Sequence, residues 1–312
     1  MPELPDVTIY VERLRARLLG SPLQRVQLWS PFVLRTVEPP LRALEGRTLG
    51  AVDRIGKQIV FSFEGDLHLV VHLMIAGRFH WKAPGKKLGR RPGLAGFEFP
   101  AGILLLTEVS TKKRAALHVV QGRDALAGFD RGGLEVLDAD AAAFQVALLR
   151  ENHTLKRALT DPRLFAGIGN AYSDEILHRA RLSPLRLTRQ LDPAEITRLH
   201  RAVQETLRDW TARLRAEVGD CFPEKVTAFR PEMAVHGRYR QPCPICGALV
   251  QRIAYAENEC NYCPECQTEG RLLADRSLSR LLHDDWPRTW EELEERRGRL
   301  TSPPPDQRDS SK

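Results

Sequence analysis

Two matching knuckles, Cys243-Pro-Ile-Cys246 and Cys263-Pro-Glu-Cys266, stand with sixteen residues between them. Zn²⁺ takes four thiolates tetrahedrally, and two C-x₂-C pairs at this separation fit the two ends of a zinc-ribbon hairpin. The chain has six cysteines, five of them between positions 243 and 266, and no charged-then-apolar leader. Such clustering favours a metal over disulfides. One structural zinc is therefore expected on Cys243, Cys246, Cys263 and Cys266. Cys260 lacks the knuckle proline and shortens the spacing, so it is read as a non-ligand on a hairpin strand. The stretch Ile253 to Tyr262 supplies that hairpin. Cys221 stands alone and is expected to be a buried or half-buried thiol.

A ribbon of this size needs a larger body to serve. The chain has 312 residues, enough for two or three domains with real cores, and a net charge of +7. Arginine dominates the basic residues, which suits phosphate contacts. No apolar run is long enough to span a bilayer. These features predict a cytoplasmic protein, nucleoid-associated in a bacterium, that is monomeric and makes no membrane contact.

Residues 1–125 read as a β-rich domain with a leading helix. Pro5 suits a first helical turn and Asp6 the positive end of the helix dipole. Val7, Val11, Leu14 and Leu18 follow at helical spacing, and Gly20 marks the stop. Strands are predicted at 59–63, 67–73, 77–81, 96–99 and 103–107, with tight turns such as Glu64-Gly65-Asp66 between them. Short strands with tight turns suggest a sandwich or flattened barrel. The basic, Gly- and Pro-rich stretch 83–93 reads as an exposed loop. Lys57, at a strand start, reads on its own as a solvated edge residue.

The stretch 122–133 reads as a linker, and residues 138–235 as mostly helical. A helix is expected over 140–149, another from about Thr154 carrying Lys156, and a long one from Asp192 to about Val218, opened by an Asp-Pro-x-Glu capping box. Between them lies Leu164-Phe-Ala-Gly-Ile-Gly-Asn-Ala-Tyr172. Its glycines permit close backbone approach, Asn170 is placed at the N-cap, and the helix that follows offers free N–H groups to an anion, most naturally a phosphate. No strand precedes it and a third glycine is missing, so it is no dinucleotide fingerprint. Residues 236–270 hold the ribbon. Residues 271–312 form an extension that is partly helical, with Trp286 and Trp290 as anchors, and then disordered.

The N-terminus adds chemistry. Removal of Met1 makes Pro2 a secondary amine beside Glu3. An α-amine has a pKa of about 7.7–8, well below a lysine's. Its free base attacks a sugar C1′ or an aldehyde to give an iminium.

The order of these features (Pro-Glu-Leu-Pro start, β-rich domain, Gly-Ile-Gly-Asn helical domain, four-Cys ribbon) closely resembles the formamidopyrimidine-DNA glycosylase/endonuclease VIII family over residues 1 to about 270. The resemblance implies an α+β protein: an N-terminal β-sandwich with a leading helix, a central helix–two-turn–helix domain and a C-terminal zinc-ribbon hairpin. It implies damaged DNA as partner and bifunctional glycosylase/AP-lyase activity in base excision repair. Pro2 resembles the family's nucleophile, Glu3 its acid/base group, and Lys57 its lysine near the sugar-phosphate. Asn170 resembles the phosphate-holding asparagine and Lys156 its basic companion. Tyr172 and Glu175 match positions that shape that motif.

The departures are as informative. Asp6 replaces the family's usual Glu. Met74 is displaced by one residue from the base-void position. The stretch carrying Lys112, Lys113 and Arg114 has no aromatic wedge, although its charges remain expected DNA contacts. Asn258 stands where a phosphate-binding arginine is customary. The stretch 219–236 is short compared with members that clamp 8-oxoguanine there. These changes suggest weakened repair of duplex 8-oxoguanine and a preference for single-stranded or open DNA. Two competing readings are a non-catalytic damaged-DNA or single-strand-binding protein on the same scaffold, and a zinc-ribbon interaction module, which leaves the N-terminus unexplained.

Overall fold

Helix α1 (Leu4–Leu18) starts where Glu3 turns extended chain into helix. The Glu3 N–H donates to Asp6 Oδ2 at 3.0 Å, satisfying one of the orphan donors of the first turn. Val7, Tyr10, Leu14 and Leu18 are fully buried along one stripe, each burial stabilising the fold by about 1.5–3 kcal/mol. That stripe packs on a sandwich, whereas Leu4 joins the core of the helical region instead. The start of α1 is thus fixed between two cores. The computed structural model describes residues 1–86, 93–224, 226–227, 230–255, 258–273 and 292.

The sandwich has two four-stranded antiparallel sheets. One is ordered β1 (Arg25–Leu28), β6 (Gly93–Phe99), β7 (Gly102–Glu108), β5 (Gly77–Lys82); the other is β2 (Leu49–Ile55), β3 (Gln58–Phe63), β4 (Leu67–His72), β8 (Ala116–Gln121). Phe61, Phe79 and Phe97 meet Tyr10 of α1 in the core between them. Strands β1, β2 and β8 go beyond the five read from sequence. In β2 a bulge between Leu49 and Ala51 breaks the period-2 signal. The predicted linker 122–133 is partly helical, since α2 (Arg123–Ala127) follows directly on β8.

The helical region comprises α3 (Ala141–Leu149), capped by Asp140; α4 (Leu155–Thr160), capped by Thr154; α5 (Asn170–Ala180); and α6 (Pro193–Val218), with the Asp192/Glu195 capping box. The ribbon is β9 (Gln251–Tyr255) paired with β10 (Asn258–Tyr262), then α7 (Pro264–Thr268). Cys221 is exposed rather than buried, because it follows the Gly219-Asp220 turn that ends α6. Trp286 and Trp290 of the expected extension, and the tail from Thr301, lie outside the described residues, as does 87–92 of the basic loop.

Candidate functional site

Pro2 and Glu3 are buried where α1 meets the N-terminus of α5. The Glu3 carboxylate accepts three backbone N–H groups: Gly169 at 2.6 Å, Ala171 at 2.8 Å and Tyr172 at 3.2 Å. This corrects the sequence reading of the helix start. Gly169, not Asn170, is the cap residue, and the anion on those N–H groups is a side chain of this chain rather than a phosphate. A helix N-terminus carries partial positive charge and suits a carboxylate for the same reason it suits a phosphate. The Leu4 N–H donates to the Gly167 carbonyl at 2.9 Å. Gly167 has φ +81°, and a Cβ there would come within 2.8 Å of Leu4 Cβ. A Cβ on Gly169 would meet Glu3 Cδ at 2.5 Å and Lys57 Nζ at 2.8 Å.

Lys57 occupies the two-residue turn between β2 and β3, since Ile55 pairs with Gln58. Its ammonium reaches back to Gly169 beside Glu3 rather than lying on a solvated edge. Burial, reinforced by the nearby Lys156 charge, lowers its pKa against the opposing pull of Glu3. Burial and the Lys57 charge also push His72 down to about 4. The Met1 amine is lowered in the same surroundings, again chiefly by burial, with Glu3 pulling the other way. Asp6 is pushed up to about 6 by burial, against the Glu3 N–H bond and Arg230 3.7 Å away. A cleft of about 880 Å³ opens from Met1 and Lys57 past Lys156 and Asn170 to Glu259 and Cys260.

The far side of that cleft is tied together by α5. Lys156 Nζ donates to the Asn170 carbonyl (2.6 Å), Ser173 Oγ (2.8 Å) and Asp174 Oδ1 (2.6 Å), matching its three protons. Asp174 is fully buried and also accepts from the Asn261 N–H of β10 at 3.1 Å and contacts His236 Nδ1 at 2.8 Å. The Glu175 carboxylate accepts the N–H groups of Ala234, Val235 and His236. Asn170 Nδ2 donates to the Glu259 carbonyl at 2.8 Å, leaving its second amide proton for a guest. Tyr172 is buried against Trp210 of α6.

Lys112, Lys113 and Arg114 lie exposed in the β7–β8 loop. Buried Glu108 shapes that loop by accepting the N–H groups of Arg114 and Ala115, and Lys113 Nζ donates to the Glu108 carbonyl. Gly77 pairs with Glu108, so the β4–β5 turn and the β7–β8 loop emerge side by side. Their exposed apolar residues are two aliphatics, Ile75 (54%) and Val109 (78%). Asn258 stands at the start of β10, opposite Tyr255. The stretch after α6 is pinned to the sandwich: Glu224 accepts the Trp81 N–H at 3.0 Å and contacts His80, and Arg78 Nε donates to the Val226 carbonyl.

The knuckle sulfurs converge. Cys243 Sγ lies 3.9 Å from Cys266 Sγ, and Cys246 Sγ lies 3.4 Å from Cys263 Sγ. A tetrahedron with Zn–S bonds of about 2.3 Å has S···S edges of about 3.8 Å, so the donor set fits a structural zinc. Cys260 packs instead with Ile253 and Tyr262 on the hairpin. His178 of α5 places Nε2 3.3 Å from Cys243 Sγ. Sequence reading missed Asp174, Glu108 and His178. Asp174 and His178 act through partners distant in sequence, and Glu108 through loop amides six and seven residues on, a spacing no regular element marks.

Two family models match the chain: the formamidopyrimidine-DNA glycosylase N-terminal domain over residues 1–121 and the formamidopyrimidine-DNA glycosylase H2TH domain over residues 133–215. The chain is 34% identical over 285 residues to the formamidopyrimidine-DNA glycosylase of Thermus thermophilus, covering 86% of this chain and 100% of the relative. It is 30% identical over 282 residues to the one of Lactobacillus delbrueckii subsp. bulgaricus, covering 86% and 99%. Among solved structures it resembles MutM in complex with DNA containing carbocyclic 8-oxo-G (TM-score 0.76, 25% identity, 86% of this chain and 100% of that one). It also resembles MutM (Fpg) from Thermus thermophilus (TM-score 0.71, 32% identity, 85% and 98%). Lactococcus lactis Fpg with abasic-site DNA is similar to the same degree (TM-score 0.74, 26% identity, 85% and 99%).

Proposed function

The chain belongs to the formamidopyrimidine-DNA glycosylase family, and on that premise we propose that it is a bifunctional DNA glycosylase/AP lyase of base excision repair, acting on oxidised bases. The observation that carries the reading is the Glu3 carboxylate, locked by three N–H groups of α5 beside Pro2 and Lys57 at the head of the cleft.

The damaged nucleotide leaves the stack so that its C1′ becomes reachable. With Met1 removed, the Pro2 amine takes the place where burial already lowers the pKa of the Met1 amine. It attacks C1′; the C–N bond to the base breaks and the base leaves with the bonding pair. Glu3 serves the proton transfers of ring opening. The iminium acidifies the C2′ proton, whose removal expels the 3′-phosphate, and a second elimination releases the 5′ side. Lys57 is assigned to the sugar-phosphate beside the lesion. Asn170, with its remaining amide proton, is assigned to a backbone phosphate, and Lys156 braces it. Lys112, Lys113, Arg114 and Asn258 are assigned to DNA contacts. Cys243, Cys246, Cys263 and Cys266 would hold one zinc, which organises the ribbon.

We assign residues 1–125 to catalysis, 138–235 to DNA binding, 236–270 to the zinc finger and 271–312 to an extension. A monomer in the bacterial cytoplasm fits this role, and no described helix is long and apolar enough to cross a membrane. The aliphatic pair Ile75 and Val109 supports a preference for single-stranded or open DNA, where no stacking wedge is needed to hold a duplex apart.

Borohydride trapping on an abasic-site oligonucleotide tests the chemistry. The full chain is expected to form a covalent adduct that the same chain does not form when an added N-terminal extension removes the free amine at Pro2. Tight binding without an adduct overturns the reading in favour of a non-catalytic binder. Excision rates on matched single- and double-stranded substrates test the preference, and much faster cutting of duplex removes it.

A further inference from the structure

The cysteine cluster carries more donors than a four-coordinate metal needs. His178 Nε2, Cys243 Sγ, Cys263 Sγ and Cys266 Sγ all lie within 4.8 Å of one another, and His178 touches Cys243 at 3.3 Å. The four sulfurs differ in exposure. Cys243 and Cys263 are buried, Cys266 is half-buried, and Cys246 is exposed. Cys246 is therefore the sulfur that solvent-borne reagents and competing metals reach first. His178 is 2% exposed and sits on α5, whose Tyr172, Ile176 and Leu177 pack it into the core of the helical region, apart from the ribbon. A histidine held by a packed helix is already placed when the metal needs it.

We propose that His178 is a reserve ligand of this site: when Cys246 is lost as a donor, His178 Nε2 supplies the fourth donor and the zinc is held by Cys243, Cys263, Cys266 and His178. Cys₃His is an ordinary donor set for structural zinc, with Zn–N bonds of about 2.0–2.1 Å. In the exchange the bond to the Cys246 sulfur breaks and a bond to Nε2 forms. Nε2 gives up the proton it shares with Cys243 while Cys246 is bound and Nδ1 takes one up, so the ring stays neutral. With all four cysteines in place, His178 is a positioning residue whose N–H tempers the charge of the Cys243 thiolate.

The inference rests on the zinc reading of the cluster, and the wild-type metal content tests that reading separately: a full chain that binds no zinc ends both. The experiment compares the full-length wild type, C246S, H178Q, C246S/H178Q and C263S by zinc content, chelator competition and the spectrum of the Co²⁺-substituted protein. Gln at position 178 keeps an N–H donor for Cys243 but is a poor zinc ligand, so it separates the two roles. C246S is expected to retain about one zinc, and its thiolate-to-Co²⁺ charge-transfer band is expected to fall by about one quarter as four thiolates become three. C246S/H178Q is expected to lose roughly tenfold or more in affinity relative to C246S, while H178Q alone keeps its metal. C263S, which removes a buried sulfur, is expected to lose the metal. The proposal is overturned if C246S/H178Q binds zinc as tightly as C246S, or if C246S folds and holds none. Should C246S fail to fold, alkylating Cys246 with iodoacetamide in folded C221S protein asks the same question. Zinc retained there, and lost in C221S/H178Q, supports the reserve ligand; equal retention or equal loss in the two refutes it.

Discussion

Gly169→Ala is the sharpest probe of how the N-terminus is held. Gly169 has φ −129°, a conformation any residue adopts, so the substitution introduces no backbone strain. Its whole effect is steric. The new Cβ would lie 2.5 Å from Glu3 Cδ, 2.6 Å from Glu3 Oε1 and 2.8 Å from Lys57 Nζ. Non-bonded carbons sit at about 3.5–4.0 Å, so the Glu3 carboxylate must withdraw by about 1 Å. That movement stretches the bonds from Gly169, Ala171 and Tyr172 together. Overpacking of this kind costs about 1–3 kcal/mol of stability, and a misplacement of about 1 Å at a reacting group costs about 10² in rate. The assay is single-turnover cleavage of an abasic-site oligonucleotide, with denaturant unfolding of the same protein beside it. The expected result is a folded protein, weakened by about 1–3 kcal/mol, that cuts about 10²-fold more slowly. Cutting within a few-fold of wild type would mean that the Glu3–α5 contact does not set the geometry of the reaction.

The Asp6 pKa predicts a pH dependence of stability. Its folded-state value of about 6 lies above the unfolded 3.8, so the folded state binds the proton more tightly, and a penalty of about 3 kcal/mol is complete above pH 6 and vanishes toward pH 4. The stability of wild type relative to Asp6→Asn should therefore fall by that amount between pH 4 and pH 8, and a gap that does not move with pH removes the argument. His72, held down at about 4, works in the opposite sense in both proteins and cancels in the comparison. Asp174→Asn removes the buried counter-charge of half-buried Lys156 and should cost up to about 3–5 kcal/mol in urea unfolding; a loss under about 1 kcal/mol would show that solvent already screens the pair. Zinc removal by a chelator should lower the hydrogen-exchange protection of the Asn261 and Val235 amides while leaving β3 and β4 unchanged. Equal loss across the sandwich would show that the metal stabilises the whole chain rather than the ribbon.

What the sequence discloses depends on whether a residue acts through its neighbours or through distant partners. Helix α6 is readable end to end because Asp192, Pro193 and Glu195 form its start locally. The knuckles are readable because each C-x₂-C pair is a local geometry, repeated once. The leading helix is readable for the same reason, through Pro5, the apolar spacing and Gly20. Glu3 differs: its partners at Gly169, Ala171 and Tyr172 are more than 160 positions away, and a carboxylate on the α5 N–H groups cannot be told from a phosphate until the chain is folded. Lys57 likewise reads as a solvated edge residue, because nothing local announces that its turn faces the helical region. The aliphatic tips Ile75 and Val109 become a pair only through the β5–β7 register.

These contacts give α5 a particular place in the molecule. Its N-terminal N–H groups bind the side chain beside the proposed nucleophile. One turn on, Asp174 and Glu175 grip β10 and the 234–236 stretch through backbone N–H groups. One turn further, His178 meets a knuckle sulfur. A helix of eleven residues thus connects Glu3 to the ribbon through short, buried polar contacts. Buried polar groups in such a network must all be satisfied, because each orphan costs about 1–3 kcal/mol. Moving the ribbon relative to α5 would break several at once, so the ribbon and the Glu3 cradle move together or not at all. A DNA strand lying along the cleft would touch Asn170 on the same helix that fixes Glu3, and its phosphates would therefore be registered against the reacting carbon by one rigid element. A zinc bound at the knuckles would act on the proposed chemistry only through this route: the ribbon contacts the helix at Asp174 and Glu175, and the helix holds the Glu3 carboxylate.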